Sequence, residues 1–224
     1  MEQKSLLTKF QQKLLAIIIA EPYLIKNYYW TGGTALTEIY LRHRESYDID
    51  LFTEDSEVHL PSISKFIHKA MNLLKAKDVK HTHYYGLESF TFILPDDNEL
   101  KIDFNFYPHL RIEVGKKYHR LAVDSLIDIA TNKVHTIFMR PRGRDYIDLY
   151  FILKLHPELS LEKLISLADA KFDWHIDPLQ LGEQLLRVVK FTEEPKMFLP
   201  YKRQDMEKFI LNLASDLKSQ ILVK

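Results

Sequence analysis

The sequence contains no cysteine, which excludes disulfides, thiolate zinc sites and a cysteine nucleophile and fits a reducing cytoplasm. Net charge is also missing: 31 Lys and Arg balance 31 Asp and Glu. No global basic field advertises nucleic acid, so any such contact must come from a local patch. Long apolar runs are absent. The longest, Leu14–Ala20, is far short of the roughly 20 residues that span a bilayer, and no membrane partner is expected. The opening stretch shows no small-residue cleavage site, and it reads as an amphipathic helix with Phe10, Leu14 and Ile17 or Ile18 inward. The ten histidines form no HExxH or other zinc spacing; His81 and His83 share a strand face and read as surface residues. There is no internal repeat and no low-complexity linker. What is left is a chain of 224 residues, 46% hydrophobic, able to bury a core as one large or two small domains.

The informative stretch is residues 27–52, NYYWTGGTALTEIYLRHRESYDIDLF. Residues 27–30 are aromatic and strand-like. Gly32-Gly33 marks a turn where backbone amides can approach a ligand. Thr34 can cap a helix whose apolar positions Ala35, Leu36, Ile39 and Tyr40 fall at helical spacing. Tyr47, Ile49 and Leu51 then alternate with Asp48, Asp50 and Phe52, a period of two and hence a strand. Alternation puts Asp48 and Asp50 on one face with Cα atoms roughly 6.5 Å apart. Two carboxylates beside a glycine turn at a helix start suit Mg²⁺, a hard ion that shares oxygen ligands with substrate phosphates; the turn amides and the positive helix end suit the phosphates themselves. The alternative is a loop-connected strand with two solvated aspartates.

Downstream, residues 53–60 are polar and loop-like, and Pro61 opens a helix with Ile63, Phe66, Ile67, Ala70, Met71 and Leu74 as its stripe. Strands follow over 81–94, with a bend at Gly86, and over 99–107. In the latter Ile102, Phe104 and Phe106 face one way and Lys101, Asp103 and Asn105 the other, so Asp103 is a third strand carboxylate or a solvated one. From Asp124 the pattern turns helical. Asp124 or Ser125 can cap, and Lys133 and Arg140 share a face if the helix persists that far. A second helix starts near Asp145, with Asp148 three residues on. Arg140, Arg142 and Arg144 form either a loop charge cluster or a phosphate or RNA contact patch. Residues 160–224 read as helices, Leu161–Ala170, Pro178–Val189 and Tyr201–Leu222, without a catalytic motif.

GGTAL followed by DIDLF resembles the first motif of the polymerase-β-like nucleotidyltransferase superfamily, and more narrowly that of the AbiEii/AbiGii-type toxin nucleotidyltransferases. The stretch NKVHTIFMRPRGRDYIDLYFIL is similar to the same family's lysine–arginine–RDxxDL segment. The resemblance covers roughly residues 27–155 and implies an α+β fold: a mixed sheet flanked by helices over residues 1–120, then a helical region over 121–224 that completes the nucleotide pocket. It implies that Asp103 joins Asp48 and Asp50 as a metal ligand for Mg²⁺ or Mn²⁺. It further implies that Lys133 contacts the triphosphate and that Asp148 and Asp145 shape the pocket, with Gly32, Gly33, Thr34, Arg140 and Arg144 as further nucleotide contacts. The residue after the first glycine is Gly33 rather than serine, so Thr34 or backbone amides must serve the phosphates.

The activity expected from the resemblance is transfer of a nucleoside monophosphate from an NTP to an acceptor hydroxyl, with tRNA favoured and DNA not expected. The biological setting it implies is a cytoplasmic toxin with a cognate antitoxin, or a phage-defence pair. The alternatives are a catalytically silent NTP- or partner-binding module on the same fold, and metal-dependent phosphodiester hydrolysis by the same carboxylates.

Overall fold

The computed structural model describes residues 4–54 and 58–222; the polar stretch 53–60 falls partly outside them. The chain divides into two compact units. The first comprises Met1–Arg42, Ser46–Leu110 and Val114–Asp124; the second comprises His43–Glu45, Arg111–Glu113 and Ser125–Lys224.

The first unit holds a mixed seven-stranded sheet. Its strands are β1 (Tyr29–Thr31), β2 (Ile49–Thr53), β3 (Asp78–Tyr84), β4 (Leu87–Ile93), β5 (Glu99–Phe106), β6 (Lys117–Tyr118) and β7 (Leu121–Val123), in the order β3-β4-β5-β2-β1-β7-β6. The central pair β2 and β5 runs parallel, while β1 pairs antiparallel with β2 and β4 antiparallel with β5. Gly86 makes the β3–β4 turn at φ +73°, where a side chain is strained. One sheet face is apolar: Ile49, Leu51, Ile102 and Phe104 are fully buried. Phe66 of the helix α4 (Leu60–Leu74) meets Phe104 edge-on at 6.0 Å, as does Phe90 at 6.2 Å. Burying a Leu, Ile or Phe is worth about 1.5–3 kcal/mol, so a one-residue slip of β5, which would exchange Ile102 and Phe104 for Asp103 and Asn105, is strongly disfavoured.

Two helices precede the sheet, α1 (Lys9–Ile19) and α2 (Pro22–Asn27). The expected strand over 27–30 is therefore displaced to 29–31: Pro22 starts a short helix, as its fixed φ allows at a first turn. On α1 the buried positions are Gln11, Leu14, Leu15, Ile17 and Ile18. Phe10, expected inward, is only half-buried; Gln11 goes in because its amide finds backbone carbonyls there. After β1 the chain turns at Gly32 into α3 (Gly32–Ala35), which continues as a π-helical turn, Leu36–Leu41, closed by Arg42 in the left-handed conformation.

The second unit is helical: α5 (Leu126–Met139), α6 (Gly143–Leu155), α7 (Leu161–Phe172), α8 (Pro178–Leu186) with a 3₁₀ turn over Arg187–Lys190, and α9 (Arg203–Leu222). Ser125 caps α5 by accepting from the Asp128 amide. That helix ends at Met139, and Arg140 leaves helical geometry at φ −158°. The shared Lys133–Arg140 face is thus lost, because Pro141 disfavours the helical conformation for the residue before it. Among the described residues no helix is long and apolar enough to cross a membrane.

Candidate functional site

A polar row runs across four neighbouring strands of the first unit. Ser89 on β4 pairs with Asp103 on β5, Asp103 with Asp50 on β2, and Asp50 with Thr31 on β1. Residues paired this way project from the same face, so Asp50 and Asp103 are side by side, with strands roughly 5 Å apart. Asp48 lies just before β2 rather than within it. One pair beyond the ladder it falls opposite Lys101.

Several contacts fix these carboxylates. Ser89 Oγ donates to Asp103 Oδ1 at 2.6 Å, and Lys101 Nζ donates to Asp103 Oδ2 at 2.6 Å. Asp103 is 7% exposed, whereas Asp48 and Asp50 are half-buried. Burial works to lower the Lys101 pKa, but the hydrogen bond and charge of Asp103, with the charges of Asp48 and Asp50, raise it above the ordinary lysine value. Gly32 has φ +77°, and a Cβ there would stand 2.1 Å from Asp50 Oδ2. Only a glycine lets the Asp50 carboxylate lie against the turn.

The loop that presents Asp48 is tied down by Gln11, outside the motif, and by Thr34, within it. Gln11 Nε2 donates to the carbonyls of Ser46 and Tyr47 at 2.9 and 3.0 Å. The Thr34 hydroxyl bonds Ser46 Oγ at 3.0 Å and donates to the Asp48 carbonyl. Thr34 is not the helix cap: the helix begins two residues earlier, and its hydroxyl is turned to the Asp48 loop.

The donor set suits a hard divalent ion, since it offers carboxylate oxygens from adjacent positions. Among the described residues, however, no three His, Asp or Glu side chains already converge as a metal cage; Asp103 is closed onto Lys101 and Ser89.

The second unit contains a fully buried ion network. Asp148, 0% exposed, receives Arg44 Nε at 2.7 Å and Arg44 Nη2 at 2.8 Å, a two-pronged contact. His43 Nε2 lies 2.8 Å from Asp148 Oδ1, and Lys133 Nζ lies 2.6 Å from Asp148 Oδ2 and 2.7 Å from Asp145 Oδ1. The Arg142 amide donates to Asp145 Oδ2 at 3.0 Å. Burial would raise both carboxyl pKa values, but Arg44 and Lys133 hold Asp148 well below the usual range, and Lys133 and Arg142 lower that of Asp145. Burial depresses the His43 pKa more than Asp148 restores it. Lys133 is 8% exposed. Arg140 and Arg142 are exposed and Arg144 is half-buried.

Sequence reasoning missed Gln11, His43, Arg44 and Ser89. Arg44 and Asp148 are 104 residues apart, and no local pattern joins them. Ser89 alone had an available signal, since it shares the period-two face of Thr91, away from Phe90 and Phe92.

A family model described as the nucleotidyl transferase AbiEii toxin of type IV toxin–antitoxin systems matches residues 13–221. The chain belongs to the AbiEii toxin family. As an AbiEii-family protein it is a nucleotidyltransferase and a nucleotidyl-transfer toxin of a toxin–antitoxin class. Solved structures agree on the fold. The crystal structure of JHP933 from Helicobacter pylori is 17% identical, with 96% of this chain and 94% of that one covered and a TM-score of 0.60. A putative nucleotidyltransferase from H. pylori gives the same identity and TM-score, with 96% and 97% covered. No curated protein sequence matches. The expected α+β class, a mixed sheet flanked by helices with helices after it, is the observed one.

Proposed function

We propose that this AbiEii-family enzyme transfers a nucleoside monophosphate from an NTP to a hydroxyl of tRNA, using a divalent ion held by Asp48, Asp50 and Asp103. The observation that supports the reading is the polar row: the β2–β5 register sets Asp50 beside Asp103, Asp50 is packed on Gly32, and Asp48 follows one step beyond the ladder. Mg²⁺ or Mn²⁺ bound there supplies Lewis-acid stabilisation of phosphoryl charge. Asp103, held by Ser89, would accept the proton of the attacking hydroxyl. Gly32 and Gly33, at the turn into α3, offer backbone amides to phosphates. The Thr34 side chain is engaged with the Asp48 loop, so Thr34 serves the site by holding that carboxylate in place.

In the second unit, Asp145 and Asp148 hold the Lys133 ammonium in one position, which suits a phosphate contact. Exposed Arg140 and Arg142, with Arg144, suit the RNA backbone. A cognate antitoxin is the partner, in keeping with the family.

Incubation with each labelled NTP, Mg²⁺ and total RNA tests this. Label in a tRNA band is the expected result. Label in protein instead moves the acceptor to a protein hydroxyl. Nucleotide binding without transfer makes the chain a silent module, and shortened RNA makes it a hydrolase.

A further inference from the structure

We propose that Lys101 is a resident counter-ion of the carboxylate trio: its ammonium stands in for the metal while the site is empty and leaves Asp103 when a divalent ion binds. The inference rests on the reading that Asp48, Asp50 and Asp103 hold that ion.

Geometry carries it. Lys101 Nζ lies 2.6 Å from Oδ2 of Asp103, a carboxylate proposed above as a metal ligand. The ammonium is on the polar sheet face, two residues from Asp103 along β5 and opposite Asp48 one step beyond the ladder. The charges of Asp48 and Asp50 also act on it. Carboxylates on one face repel one another, and a cationic stem in contact with Asp103 and within the field of Asp48 and Asp50 relieves the repulsion before metal arrives. Lys101 is held by this ion pair alone among the described hydrogen bonds, and it is only half-buried. The stem can therefore swing into water at small cost. A divalent ion and an ammonium cannot both occupy the same carboxylate oxygen at contact distance, so binding of one opposes binding of the other.

The probe is Mn²⁺ alone, followed by its electron paramagnetic resonance, with two linked measurements. The first uses the wild-type protein. Acetic anhydride labelling of Lys101 is compared with labelling of exposed Lys75 in EDTA and in saturating Mn²⁺. Lys101 labelling is expected to rise at least ~3-fold with metal, as the ion pair worth about a factor of several opens. The second uses Lys101→Met, which keeps the stem and removes the charge. In EDTA its Tm should fall by roughly 2–4 °C, and saturating Mn²⁺ should erase the difference, because the metal then answers the carboxylates in both proteins. Its Mn²⁺ affinity should exceed the wild-type value by roughly fivefold.

A merely structural lysine gives an equal Tm loss with and without Mn²⁺ and unchanged labelling, and either result overturns the proposal. Should Lys101→Met not fold in EDTA, the wild-type labelling decides. Mn²⁺ that binds the wild type, in an Asp50-dependent way, while leaving Lys101 labelling unchanged overturns this inference and leaves the metal reading standing. Absence of Asp50-dependent Mn²⁺ binding overturns both.

Discussion

The two units each hold a group of aspartates, and they treat them differently. In the first, Asp48 and Asp50 keep contact with water and Asp103 is nearly buried, steadied by Ser89 and Lys101. In the second, Asp145 and Asp148 have no exposure at all, and Arg44, Lys133, His43 and the Arg142 amide meet them inside the fold. A carboxylate removed from water must have its charge answered by the protein, or it would neutralise. A carboxylate that keeps water can wait for a ligand. The contrast separates negative charge answered wholly inside the fold from negative charge left partly in water.

The largest effect tests the open group. Asp50→Asn should cut label transfer by roughly 1,000-fold, the several kcal/mol expected from losing a metal ligand, while the urea midpoint stays within about 1 kcal/mol of wild type. Activity that survives this change breaks the comparison at once. Asp148→Asn should do the reverse to stability. It leaves the buried Arg44 guanidinium uncompensated, at a cost of about 3–5 kcal/mol in urea denaturation; a loss below 1 kcal/mol would show that the network is not structural. Asp103→Asn sharpens the line between the two, because Asp103 is nearly buried yet assigned to catalysis. Transfer should fall ~100-fold while calorimetric binding of the nucleotide persists.

The smallest effect is in pH. The His43 pKa is below its ordinary 6.5 in the folded protein, so the unfolded chain binds the extra proton more readily. Stability is therefore complete above pH 6.5 and declines as pH falls below it. Asp145 and Asp148, depressed below the ordinary 3.8, add a second decline that begins as pH falls through that value. His43→Gln should remove the upper decline and leave the lower, read by denaturant midpoints between pH 7 and 3.

Much of the first group was legible because a strand has a simple period. The alternation of Asp48 and Asp50 with Ile49 and Leu51, and of Asp103 with Ile102 and Phe104, marks the polar face without any coordinates. What alternation does not give is the partner strand, so the Asp50–Asp103 register and the Ser89 contact needed the sheet. Gln11 was hidden by the rule that inward positions are apolar: Phe10 outranks it on hydrophobicity, yet two backbone carbonyls make a buried amide acceptable. The π-helical turn at Leu36–Leu41 has no compositional mark. His43–Glu45 and Arg111–Glu113 group with the second unit through contacts that local sequence does not encode, such as the Ile112 amide on Asp128 Oδ1 at 2.8 Å.

The β2–β5 ladder also governs when the polar row comes into being. Asp48 and Asp50 are synthesised some fifty residues before Asp103, and between them lie α4 and the strands β3 and β4. Parallel pairing across that distance is among the slower events of folding. A growing polypeptide thus carries Asp48 and Asp50 for the whole time that α4, β3 and β4 are being made, before Asp103 exists to pair with Asp50. The Asp50–Asp103 pair forms only when Glu99–Phe106 docks alongside Ile49–Thr53.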